Sequence, residues 1–192
     1  MQLRNSWLTR ANALTCIRFA AVPAVVAAIE AEAAWLALAV FALAVATDVA
    51  DGIVARRFEE QSGFGRLFDH AADAAFVTAG AAALAHAGVL PPLLPTLIAV
   101  SFIQYALDAK VTHESGPRPS RLGRWNGIAY YAIVAIPIAR DALEISWPTP
   151  ALILMLGWLL VGSTLVSMGD RLIHSRSRAA SRKPDLSAGQ DG

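Results

Sequence analysis

The chain has 192 residues, 56% of them hydrophobic and only 16% charged, against roughly 25% charged in soluble globular proteins. That balance excludes an ordinary soluble enzyme and points to a polytopic membrane protein. The 16 basic and 15 acidic residues leave a net charge of +1, so no overall positive field is available for nucleic acid, and the lone Cys16 excludes an internal disulfide or a zinc-thiolate centre.

In chain order, windows of about twenty residues pick out six apolar segments, at 12–29, 33–57, 65–86, 91–110, 123–140 and 149–172. They are too long and too rich in alanine and leucine for barrel strands, and a backbone in lipid must satisfy its own hydrogen bonds. The expected fold is therefore an all-α membrane protein, a six-transmembrane-helix bundle. The start of the chain admits another reading, a cleaved signal peptide with Arg4 and Arg10 ahead of the apolar run and Ala31-Glu32-Ala33 as the cleavage site. Pro23 inside that run and the unusually long basic stretch before it favour a retained helix. Of the 16 basic residues, all but Arg18 and Arg140 fall on one side of this arrangement. The positive-inside rule then puts both termini, and the loops after the second and fourth helices, in the cytoplasm. Residues 1–174 are expected to form the transmembrane domain, and 175–192, with few apolar residues, a disordered cytoplasmic tail. No internal repeat is visible.

The stretch that demands a chemical reason runs from the second helix into the third: Asp48, Asp51, Gly52, Ala55 and Arg56, then Gly65, Asp69 and Asp73. At about 100° per residue, the first five lie on one helical face, and the last three, spaced by fours, lie on one face of the next helix. A short polar connection makes the two helices an antiparallel pair, so the acidic faces can meet near the cytoplasmic interface. Four carboxylates in a low-dielectric setting repel one another unless cations compensate them. Two divalent ions balance the charge, and all-oxygen ligands select hard cations, Mg²⁺ or Mn²⁺. Paired ions of this kind clamp the attacking and leaving oxygens of a phosphoryl displacement. The small residues Gly52, Ala55 and Gly65 leave room for a nucleotide against the backbone, and Arg56 can fork onto a pyrophosphate. Single aspartates on helices often do no more than cap ends or meet water; four at these spacings beside an arginine do not fit that pattern.

The run Asp48 to Asp73 resembles, position for position, the signature D-x2-D-G-x2-A-R-x8-G-x3-D-x3-D of the CDP-alcohol phosphatidyltransferase family. Upstream, Asn12, Leu14, Thr15, Arg18 and Pro23 are similar to the N-x-L-T-x2-R-x4-P segment of bacterial members. The resemblance implies that Asp48, Asp51, Asp69 and Asp73 hold two metal ions, that Asp69 and Asp73 are catalytic with Asp73 as the general base, and that Asp51, Gly52, Ala55, Arg56 and Gly65 line the CDP site. It further implies transfer of a phosphatidyl group from CDP-diacylglycerol to an alcohol with release of CMP, in phospholipid biosynthesis, by a homodimer in the bacterial inner membrane with its active site facing the cytoplasm.

The acceptor is less legible. Thr15 and Arg18, three apart on the first helix, are placed to reach the nucleotide or the acceptor, although Arg18 could equally snorkel to the headgroups. Between the fourth and fifth helices, Lys110, His113, Arg118, Arg121 and Arg124 form a basic stretch on the carboxylate side, with Arg121 and Arg124 the best candidates for a phosphorylated acceptor; ordinary attraction to anionic lipid explains the stretch as well. Gln104 and Asp108 are weaker candidates for acceptor hydroxyls. Glycerol 3-phosphate is the first choice of acceptor, with inositol phosphate, serine, other polyols and phosphatidylglycerol open. Many phosphatidylglycerophosphate synthases read D-P-x-A-D-K at the second aspartate pair, whereas this chain has Asp69-His70-Ala71-Ala72-Asp73-Ala74. Two other classes compete: a small divalent-cation transporter, which would need carboxylates deep in the spans or repeated in both halves, and a noncatalytic membrane partner with the same fold.

Overall fold

The computed structural model describes residues 10–57, 63–111 and 121–181. The described residues form six α-helices and no strand: α1 Arg10–Glu30, α2 Ala34–Arg57, α3 Gly63–His86, α4 Leu94–Val111, α5 Arg121–Ala142 and α6 Pro150–Ser181. Helix limits follow local chemistry. The pair Pro91-Pro92 delays α4 to Leu94, three residues past the apolar segment's start, because proline lacks the donor and restricts the residue before it. Thr149 caps α6 by accepting the Leu152 amide at 3.3 Å, with Pro150 in the first helical position, where a missing N–H costs nothing. At its other end α6 runs on to Ser181, into the stretch expected as a disordered tail; residues 182–192 lie outside the described residues.

The odd-numbered helices all end in the same way. After α1, the Ala33 amide donates to Ala28 O and the Glu32 amide to Ile29 O. Val89 with Leu84 and Gly88 with Ala85 repeat the pattern after α3, as do Ile145 with Arg140 and Glu144 with Asp141 after α5. This is the Schellman closure, which needs one left-handed residue: Glu32 at φ 54°, Gly88 at φ 75° and Glu144 at φ 54°. Only the second is a glycine, so the other two turns hold a side chain where L-residues are disfavoured by about 1–2 kcal/mol.

α1 lies along the seam between α2 and α3. Its inward stripe reads Thr15, Arg18, Ala21, Val25 and Ala28, and the alanines let the backbones approach closely. Ala37, Phe41 and Ala44 of α2 and Phe76, Val77 and Ala81 of α3 complete that half of the core. The other half joins Leu94 and Ile98 of α4, Tyr130 and Val134 of α5 and Ile153 and Val161 of α6. Many large apolar side chains face outward, among them Trp35, Leu36 and Val49 on α2 and Trp158, Leu159 and Val166 on α6. Among the described residues, Ala34–Asp51 and Pro150–Ile173 are long and apolar enough to cross a membrane.

One contact fixes α6 against the loop that follows α3. A Cβ built on Gly157 meets Pro91 Cδ at 2.5 Å and Cγ at 3.0 Å, and Pro91 is itself fully buried. A rigid ring cannot swing aside, so Gly157→Ala is expected to lower stability by about 2 kcal/mol, read as a lower midpoint of thermal unfolding in detergent micelles.

Candidate active site

α2 and α3 present Asp48, Asp51, Asp69 and Asp73 to one another, and α1 inserts Arg18 into the middle. The guanidinium divides its two terminal nitrogens by helix. Nη2 donates to Asp51 Oδ2 at 2.7 Å and pairs with Asp48 Oδ1 at 3.1 Å, both on α2. Nη1 donates to Asp69 Oδ1 and Asp73 Oδ1, each at 2.6 Å, both on α3. Arg18 is the largest of the fully buried side chains, with no exposure at all. The ring is graded around it: the Asp51 side chain is 8% exposed and Asp73 19%, against 36% for Asp69 and 41% for Asp48, so the side bearing Asp48 and Asp69 is open to ions and ligands. The Tyr131 hydroxyl of α5 donates to Asp73 Oδ1 at 2.9 Å and fixes the inner side, its ring edge-on to Phe41.

Asp48, Asp51 and Asp69 each offer an oxygen, and these atoms lie within 4.8 Å of one another. Three converging hard donors suit a hard divalent cation, with Asp73 adjoining them through the same guanidinium. A single guanidinium cannot balance four carboxylates, which leaves charge for such ions to neutralise.

Beside the ring lies a cavity of about 240 Å³ between α3, α4, α5 and α6. His70, next to Asp69 in sequence, faces this side, with its ring 4.9 Å from those of both Phe102 and Tyr105. Arg124 and Arg171 line the cavity with Ser101, Tyr130 and Gly127, where an added Cβ would meet nothing within 4 Å. Arg171 lies over the Tyr105 ring at 5.8 Å and donates to Ser101 O at 3.4 Å. The buried Nε2 of His70 has no hydrogen-bond partner among the described residues.

The residues singled out from sequence therefore separate into groups. The four aspartates and Arg18 come together, with Thr15 buried one turn from Arg18 and half-buried Gly65 one turn before Asp69. Arg124 stands at the neighbouring cavity. Gly52, Ala55, Arg56 and Arg121 are described in backbone only, on α2 and α5, and their side chains lie outside the described residues, as does that of Asp108. Lys110 is likewise described in backbone alone, and His113 and Arg118 lie outside the described residues. Gln104 spends its amide nitrogen on Met168 O at 3.2 Å, tying α4 to α6. Sequence reasoning missed Tyr131, whose only mark was a polar tip in an apolar helix. It also missed Arg171, which read as one more cytoplasmic charge.

The family model described as CDP-alcohol phosphatidyltransferase matches residues 8–169. The chain belongs to that family. Within it, a protein named CDP-diacylglycerol–glycerol-3-phosphate 3-phosphatidyltransferase, from Cereibacter sphaeroides, is 34% identical over 145 residues, covering 69% of this chain. The chain spans 64% of the length of that curated relative. No solved structure matches the chain. For this phosphatidyltransferase-family chain the matched span takes in all four aspartates, Arg18, Tyr131 and Arg124, and ends two residues before Arg171.

Tyr131→Phe removes the hydroxyl that bonds Asp73 and keeps the ring packed on Phe41. It is expected to cost about 1 kcal/mol of stability, read in detergent by a lower thermal midpoint with unchanged helical circular dichroism.

Proposed function

We propose that the chain is an integral membrane phosphatidyltransferase that moves the phosphatidyl group of CDP-diacylglycerol onto glycerol 3-phosphate and releases CMP, with two Mg²⁺ or Mn²⁺ ions held by Asp48, Asp51, Asp69 and Asp73. The observation that carries this reading is the meeting of the four signature aspartates on facing sides of α2 and α3. The ions, when bound, stabilise charge developing on the phosphate oxygens. The protein's own side chains do the rest. Asp73 stands on the inner side of the ring, oriented by the Tyr131 hydroxyl, where a carboxylate can take the proton of an attacking hydroxyl. The attack falls on the phosphorus that carries diacylglycerol, in line with the departing CMP oxygen, and holding both reactants in that geometry is a large part of the rate. Gly52, Ala55, Arg56 and Gly65 receive the nucleotide, together with Asp51, and Thr15 and Arg18 of α1 complete that set in this reading.

The basic cavity suits the acceptor's phosphate. Arg124 and Arg171 supply fixed positive charge and forked donors, and His70, next to Asp69 in sequence, a nitrogen without a hydrogen-bond partner among the described residues. The name of the C. sphaeroides relative favours glycerol 3-phosphate over a neutral alcohol.

In this reading all six helices span the bacterial inner membrane, with both termini and the carboxylate ring at the cytoplasmic face, and two copies associate as a homodimer. The outward apolar residues of α2 and α6 and the one-sided distribution of basic residues support the membrane placement and its orientation.

Purified protein given Mn²⁺, CDP-diacylglycerol and glycerol 3-phosphate is expected to release CMP, and Asp69→Asn or Asp73→Asn to reduce release by at least about a thousandfold. Ion flux into liposomes without CMP release from any of a panel of alcohols would replace this reading with cation transport. Arg124→Ala and Arg171→Ala are each expected to raise the KM for glycerol 3-phosphate by about tenfold or more, with a smaller change in kcat and in the KM for CDP-diacylglycerol. Equal losses toward both substrates would place the acceptor elsewhere.

A further inference from the structure

We propose that Arg18 is the resident counter-ion of the aspartate ring, and that divalent ions bind by displacing its guanidinium from the same carboxylate oxygens, so that Arg18 sets the affinity of the metal centre. The inference rests on the metal-dependent reading above.

Four distances carry it. The guanidinium touches one oxygen of every aspartate in the ring, at 2.6, 2.6, 2.7 and 3.1 Å. A hard cation needs such oxygens at about 2.0–2.1 Å and in a closed coordination shell, a space the planar guanidinium already fills. Two cations in one partly buried ring also repel each other far more than in water. Among the described residues the side chain has no second attachment to hold it there, since its remaining nitrogen, Nε, is buried without an acceptor among them. The ring oxygens are thus the whole of its hydrogen bonding among the described residues, and any ligand that takes them releases it. Without ions, Arg18 keeps four like charges from driving α2 and α3 apart. With ions, that task passes to the metal. The two states compete, and by linkage the stabilisation that Arg18 gives the metal-free protein is subtracted from metal affinity.

The test uses the full chain in detergent micelles, with Mn²⁺ binding followed by the electron paramagnetic resonance of the free ion and folding by circular dichroism. Arg18→Gln is expected to bind Mn²⁺ roughly tenfold tighter than the unmodified chain, to unfold at a lower temperature without metal, and to gain more thermal stability when Mn²⁺ is added. Arg18→Lys, whose single ammonium reaches fewer of the four oxygens, is expected to tighten binding by less. A folded Arg18→Gln with unchanged or weaker Mn²⁺ affinity overturns the proposal. If that variant does not fold, Arg18→Lys decides, and an affinity no tighter than that of the unmodified chain overturns it. Failure of the unmodified chain to bind Mn²⁺ sinks the metal-dependent reading along with this one. Normal Mn²⁺ binding and CMP release without tighter binding in either variant sinks the counter-ion alone.

Discussion

A guanidinium with no exposure, surrounded by four carboxylates from two other helices, is the constraint around which the chain is arranged. Taking such a cation out of water costs several kcal/mol unless its nitrogens find acceptors, and gathering four carboxylates without a cation costs more than leaving them dispersed. Neither half is stable alone; together they hold each other in place. A buried ion pair of this sort is weak evidence for net stability, and its stronger effect is on register. Bringing Arg18 to all four aspartates fixes the rotation and height of α1 against α2 and α3, and Ala21 and Ala28 on the same buried stripe let the helices pack closely.

The rest of the bundle supports that placement from the far end. All three turns on the side away from the aspartates close with the same hydrogen-bond pattern, and the tight seating of Pro91 on Gly157 ties one of them to α6. Tyr131 brings α5 to the ring, while Tyr130 beside it shares a 2.9 Å hydrogen bond with Thr164 of α6. Two adjacent tyrosines thus serve opposite walls, one the carboxylates and the other the helix that carries Arg171.

Much of this was readable in the chain itself, and the reason differs from element to element. Helical spacing alone put Asp48 and Asp51 on one face and Asp69 and Asp73 on another, because periodicity is a local property. The ends of the first five helices lie within three residues of the apolar segments, but hydropathy marks where lipid-compatible side chains stop, not where hydrogen bonding stops, so it placed the end of α6 nine residues short of Ser181. Arg18 was legible as unusual and its destination was not: the partners that accept its hydrogen bonds, Asp51, Asp69 and Asp73, lie 33, 51 and 55 positions away in sequence, and nothing local distinguishes an arginine that snorkels from one that turns inward. Arg171 and Tyr131 were hidden for the same reason. Their roles come from α5 and α6 lying beside α3, a matter of packing that no single segment encodes.

Gly127 bears on how such a scaffold diversifies. The wall of the cavity at that point is bare, with open space where a side chain would stand. Room there is limited by what the chain omits, and not by main-chain geometry. One codon change from glycine to a bulkier residue would therefore resize the chamber at a point away from the carboxylates and Arg18, so its dimensions can vary during divergence without altering the ring.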